Sequence, residues 1–247
     1  MSIKFDYFRE PRLQFGEFFE HEDTKTGLAE FGPFGKCVDG LHPSQINLGF
    51  VGTRETISGC KEWIEACALP IESENIKRTR LSPRSPSPQL FLDSPEELSQ
   101  VSRREKILNR DFVGFNANSP FRCSFQLNPR WEKSIPSDEI EGIVRGVQDK
   151  ADRIRALVAL FDANIRILAE TSPSPHIIIV GLTPSIIEHA HSVRLSGNFF
   201  LNFRRAVKAS SMNWGVPIQL LQRRTVLGRG PELQEKATRA WNFCTAQ

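Results

Sequence analysis

The chain has 247 residues, of which 25% are charged and 39% hydrophobic. That length fits one large domain or two small ones, at about 100–200 residues each, and the composition excludes a disordered tail and a membrane bundle, no apolar run reaching the ~18–20 residues of a spanning helix. The formal charge of +3 hides an asymmetry: residues 1–45 hold 5 basic and 8 acidic side chains (net −3), residues 195–247 hold 8 and 2 (net +6), and the middle balances at zero.

The N-terminal residues Met1–Glu10 contain no apolar h-region, so no signal peptide is expected there. The five cysteines (Cys37, Cys60, Cys67, Cys123, Cys244) are scattered and lack CxxC spacing. This argues against a disulfide framework or a zinc site and fits a reducing cytoplasm. Residues 1–45 are rich in Phe and Gly, from Phe15-Gly16 through Phe18-Phe19 to Phe31-Gly32-Pro33-Phe34-Gly35. These breakers leave little room for long elements, and an extended arm with turns is expected, its aromatics packed on the body or on a partner.

Ile46–Gly52 is a short apolar run suited to a buried strand. Thr53 or Thr56 can cap a helix to about Cys67, with Ile57, Cys60, Ile64 and Cys67 on one face. The Pro–Ser stretch Leu81–Pro88 reads as a surface loop, with Lys77, Arg78, Arg80 and Arg84 before or within it. Phe121–Leu127 alternates with period two and predicts a half-exposed strand. A helical pattern runs from Ser137 to Glu170, with Ile154, Leu157, Val158, Phe161, Ile165 and Leu168 at spacings of three and four. Ser172–Pro175 stops it. His176–Leu182 predicts a central parallel strand covered on both faces. A short helix is expected after Pro184, and a basic helix from Leu201 to about Trp214 that Gly215 can end. Val216–Gln222 is a further strand and Pro231–Ala246 a last helix. The alternation predicts an α/β class, a Rossmann-like fold with a mostly parallel central sheet behind the N-terminal arm. The expected division is 1–45 for the arm and 46–247 for the α/β domain.

No catalytic constellation emerges. The spacing of His189 and His191 could serve a metal, but no Cys or carboxylate accompanies them at a ligand spacing, and surface histidines fit better. GxSxG, HExxH and P-loop motifs are absent. Gly49-Phe50-Val51-Gly52 follows a strand but is not a dinucleotide fingerprint. Glu96 and Glu97 read as a solvated helix start. The basic segment is more informative. Arg204 and Lys208 are i,i+4 neighbours on a helix, so their heads can converge, and Gln219 on the following strand can add an amide donor. Arg205 points about 100° away around the helix. Two cations and an amide suit a phosphate, and Phe203 or Arg204 could stack under a base. Spacing alone fits an ordinary basic helix face better.

Asn202–Lys208 followed by Pro217–Gln222, ending in Gln219-Leu220-Leu221-Gln222, resembles the 5′-phosphate pocket of the Argonaute MID domain. Pro11–Gly16 with Gly27–Phe34 is similar to the opening of short prokaryotic Argonautes, Ile46–Gly52 to their first MID strand, and Arg239–Ala246 to the helix that leads toward the PIWI domain. The resemblance implies a guide-binding protein of prokaryotic defence and not an enzyme. Arg204 would take the base or phosphate position, Lys208 and Gln219 the phosphate positions, with Phe203 and Gln222 beside them. It implies a small RNA or DNA guide and a complementary target strand as ligands, with Mg2+ at the guide phosphate a candidate cofactor and none certain. The expected partner is an APAZ-containing effector of TIR, sirtuin or nuclease type, or a PIWI domain; no membrane is expected. Family members carry a further lysine and the RNase H-like PIWI domain after this helix. Neither is found in these 247 residues, so no nuclease activity is assigned. An alternative expectation is a scaffold that docks the effector through the Phe-rich arm without holding a guide.

Overall fold

A computed structural model describes residues 11–37, 42–73, 111–222 and 239–241. The Pro–Ser stretch with Lys77, Arg78, Arg80 and Arg84, the pair Glu96–Glu97, and all but residues 239–241 of the expected last helix lie outside the described residues.

Residues 11–37 differ from the expected extended arm. Two short strands, β1 (Leu13–Gln14) and β2 (Glu20–His21), pair antiparallel around a tight turn at Gly16–Phe18. Helix α1 (Thr24–Phe31) follows, capped by Asp23, whose carboxylate accepts from the Thr26 N–H at 2.7 Å. A glycine inside a helix usually weakens it. Here Gly27 is what lets the hairpin close, because the Phe15 ring lies where a Cβ would stand.

Next come β3 (Gln45–Gly52) and α2 (Arg54–Cys67). Thr53 caps α2, its hydroxyl oxygen accepting from the Thr56 N–H at 3.2 Å. Ile57, Cys60, Ile64 and Cys67 are buried as the periodicity predicts, and Trp63 joins them. Strand β4 (Ser124–Ser134) begins later than the alternation suggested and runs further. Phe121 and Cys123 are instead buried in the loop before it. β4 pairs parallel with β3 on both sides of a bulge, the register jumping from Leu48–Leu127 to Phe50–Glu132. Pro129 falls inside the bulge, where no ladder bond needs its missing N–H.

The single helical pattern of residues 137–170 resolves into α3 (Ser137–Gly146) and α4 (Lys150–Ala169). Val147 turns extended. Asp149 then caps α4, accepting from the Asp152 N–H at 2.9 Å. The Arg153 guanidinium holds the joint by donating to the carbonyls of Val147 at 3.0 Å, Gln148 at 3.2 Å and His189 at 3.2 Å. These contacts satisfy the carbonyls that a helix end leaves over.

Strand β5 (Ile177–Leu182) leads into α5 (Pro184–Ala190), capped by Thr183. A hairpin follows, β6 (Ser192–Ser196) and β7 (Phe199–Asn202), where no strand was expected. The basic helix α6 (Phe203–Ser211) is therefore shorter at its start than predicted. It runs through a 3-10 turn to Gly215, whose φ of 66° is the left-handed conformation that ends helices. Strand β8 is Ile218–Gln222.

The central sheet is four-stranded and parallel throughout, in the order β4-β3-β5-β8. Helices flank both faces. On one face α2, Leu48, Phe50, Ile179 and Leu221 form a core with Ala29, Phe112, Phe121 and Trp241. On the other, Val51, Ile178, Val180, Ile218 and Leu220 pack under α3, α4, α5 and α6. Burial on both faces explains the unbroken β-branched run of β5; each such side chain contributes about 1.5–3 kcal/mol. The chain leaves β3 toward β4 on one side and returns past it to β5 on the other. That reversal places a crevice outside the C-terminal ends of β3 and β5.

Candidate functional site

At the β3/β5 reversal the α2 N-terminus is drawn tight against the sheet. The Thr56 hydroxyl lies 3.3 Å from the Gly181 carbonyl and 3.1 Å from the Thr53 carbonyl. A Cβ on Gly181 would stand 2.7 Å from that oxygen. Glycine is needed here for close helix–sheet approach, and Thr53 and Thr56 are both buried at this point.

The basic helix lies on the opposite sheet face from α2. Asn202 caps it, its side-chain oxygen accepting from the Arg205 N–H at 3.0 Å. Its apolar stripe, Phe203 and Val207, is buried against the core; the adjacent stripe, Arg204 and Lys208, faces outward. These two cations sit one turn apart on the solvent side, as the i,i+4 spacing predicts. Among the described residues neither forms an ion pair with a carboxylate. The chain holds no acidic residue from His189 to Pro231; Asp162 of α4 approaches the segment only at its end, accepting from the Trp214 Nε1 at 2.9 Å.

Two sequence expectations need correction. Phe203 is 2% exposed, its ring edge-on to Phe161 with centroids 5.5 Å apart. It fills the core and offers no face to a base. Gln219 pairs with Ile179 in β8 and shares a face with Leu221. Its side chain therefore points toward the α2 side, away from Arg204 and Lys208. Its Oε1 is buried there without a hydrogen-bond partner. Gln222 has the opposite parity, which puts it on the α6 face at the C-terminal end of β8. The structure thus brings Arg204 and Lys208 together, leaves Gln222 on their side of the sheet, and removes Phe203 and Gln219.

The hairpin before α6 was missed. Phe199 is 75% exposed and Phe200 58%. The Arg194 guanidinium lies 5.9 Å from the Phe200 ring centroid, and its Nε donates to the Gly197 carbonyl. The available signal was Gly197-Asn198 between two alternating runs, a two-residue hairpin pattern.

His189 and His191 fall at the end of α5 rather than on one strand. Among the described residues no three His, Cys, Asp or Glu side chains group as metal ligands. From His189 to Pro231 the chain offers Mg2+ no carboxylate beside Arg204 and Lys208. Among the described residues, no helix is long and apolar enough to cross a membrane. Cys60, Cys67 and Cys123 are free thiols in the core, and burial pushes the Cys60 thiol up to about 12. No protein-family model and no curated protein matches the chain.

Proposed function

We propose that this chain is an Argonaute-like, MID-type module that anchors the 5′-phosphate end of a small nucleic-acid guide at Arg204 and Lys208. One observation carries the reading. Two cations stand one helical turn apart, Arg204 exposed and Lys208 half-buried, free of ion pairs among the described residues, within a segment that lacks any acidic side chain. A terminal phosphate dianion between them makes two charge-assisted contacts that a hydroxyl end cannot. Gln222 lies on the same sheet face by strand parity and takes the amide role in place of Gln219. The complementary target strand would pair with the guide, and an APAZ-containing effector or a PIWI domain would act on the complex in defence. The module itself performs no bond cleavage in this reading.

The test compares 5′-phosphorylated and 5′-hydroxyl oligonucleotides, RNA and DNA, by fluorescence anisotropy. The phosphorylated end is expected to bind at least tenfold tighter, at about 1.5–3 kcal/mol per charged hydrogen bond. Lys208→Ala and Arg204→Ala should each shrink that ratio, and rising salt should shrink it further. Equal affinity for the two ends sinks the reading.

A further inference from the structure

The described residues expose ten large apolar side chains, and seven fall in two short segments. Leu13, Phe18, Phe19 and Phe34 lie in the N-terminal unit; Leu195, Phe199 and Phe200 lie on the β6–β7 hairpin. Isolated exposed apolar residues are ordinary, but clusters of aromatics mark interaction surfaces. The first cluster is built. Phe19 stacks on Phe31 at 4.1 Å, Phe18 stands edge-on to Phe34 at 6.0 Å, and Phe18 is 64% exposed. Glu17 and Phe18 both adopt a left-handed backbone, φ 61° and 62°, which costs about 1–3 kcal/mol per residue. The fold accepts that strain to turn Phe18 outward.

The clusters carry opposite charge. Residues 12–36, which span Leu13 to Phe34, hold Arg12, Lys25 and Lys36 against Glu17, Glu20, Glu22, Asp23 and Glu30, a net of 3 − 5 = −2. Residues 192–205 hold Arg194, Arg204 and Arg205 with no acid, a net of +3. They also belong to opposite sides of the sheet. Ala29 of α1 packs in the core under α2, whereas Val193 and Leu201 of the hairpin pack against the core under α4 and α6. One chain cannot fold the first cluster onto the second. A contact of either cluster with its own copy would set like charges together: arm on arm is acidic, hairpin on hairpin basic. From this complementarity we propose that the occupant of each cluster is the other cluster on a second copy of this chain. The acidic aromatic unit of one molecule seats on the basic Phe199–Phe200 hairpin of the next. The contact is head-to-tail, so it propagates unless it closes into a ring. Its basic side includes Arg204 but not Lys208, and its test needs no nucleic acid, so it stands or falls separately from the guide-anchoring reading.

The test is mass by sedimentation and light scattering over a concentration series, in the absence of nucleic acid. Wild type should show an average mass that rises with concentration and falls between 0.05 and 1 M salt, roughly the range over which the Debye length contracts from above 10 Å to about 3 Å. Phe199→Ser with Phe200→Ser removes one cluster; Phe18→Ser with Phe34→Ser removes the other. Each double variant alone should stay at the mass of one chain. An equimolar mixture retains one intact contact per pair and should double that mass. Circular dichroism melts identical to wild type show that the variants fold; should they differ, the salt series on wild type stands alone as the test. Wild type fixed at one-chain mass, a double variant that still associates, or a mixture that stays at one-chain mass overturns the proposal, and the clusters then serve a different protein.

Discussion

Phe203→Ala separates the two roles this residue was given. A side chain that stacks on a base loses binding and little stability when truncated. The structure instead shows Phe203 at 2% exposure, edge-on to Phe161 in the core between α4 and α6. Truncating a buried Phe costs about 3–5 kcal/mol, transfer and cavity terms together; the T-shaped pair contributes about 0.5–1.5 kcal/mol of that. Against a total stability of roughly 5–15 kcal/mol, the variant should be visibly weakened. With a urea slope of ~2–3 kcal/mol per M, the unfolding midpoint should fall by about 1–2 M at unchanged slope. Phe203→Leu should lose under about half as much, since it refills most of the space. The reasoning is refuted if Phe203→Ala shifts stability by less than about 1 kcal/mol while oligonucleotide binding by the folded protein drops tenfold.

Three further outcomes follow from the packing. Gly181→Ala places a Cβ 2.7 Å from the Thr56 hydroxyl and 2.8 Å from its Cβ. It should cost about 1–3 kcal/mol in thermal melts, and Thr56→Ser should not restore it because the Cβ clash remains. The Cys60 thiol, ordinarily near 9.0, is pushed to about 12 by burial. The unfolded chain therefore loses that proton first as pH rises, and the thiol's share of stability is lost between pH 9 and 12. Urea midpoints should fall across that window, and less steeply in Cys60→Ala. Arg153→Met strips three carbonyls of their donor at the α3–α4 joint. Hydrogen–deuterium exchange should speed up at residues 147–153 first; protection unchanged there would refute the clamp.

Local rules made some elements legible and left others hidden. Helix α2 was readable because its cap, Thr53, and its apolar stripe are set by residues a few positions apart. Strand β5 was readable because a run of β-branched residues has few other uses. The break between α3 and α4 was missed although Asp149 carries its own cap signal, because the apolar spacing continues across it. The β6–β7 hairpin was missed because Leu201 adjoins a strong helix pattern and was absorbed into it, which left Phe199 and Phe200 too short a run to read as a strand. For Phe203 the error was one of phase. Phe203 and Val207 form one i,i+4 stripe, Arg204 and Lys208 the next, and only one of two adjacent stripes can face water. That much was available without coordinates. The side of the sheet that α6 covers was not, since it depends on β8 pairing with β5 some forty residues away.

Gln219 is where that non-local choice decides a chemical role. Strand parity is strict: with Ile218 and Leu220 under α6, Gln219 must face α2 beside Ile179 and Leu221. It is 5% exposed and its Oε1 finds no partner among the described residues. A buried amide oxygen without a partner costs about 1–3 kcal/mol. Gln219→Leu is nearly the same size and removes that penalty, so it should leave stability unchanged or raise it by about 1–2 kcal/mol. It should also leave the preference for a 5′-phosphate intact, because the amide never reaches Arg204 or Lys208. A direct phosphate ligand predicts the reverse on both counts: little change in stability and a lost preference. Gln222→Leu provides the contrast, since its parity puts it on the α6 face. If Gln219→Leu abolishes 5′-phosphate discrimination and Gln222→Leu does not, the β8 register described above is wrong by one residue.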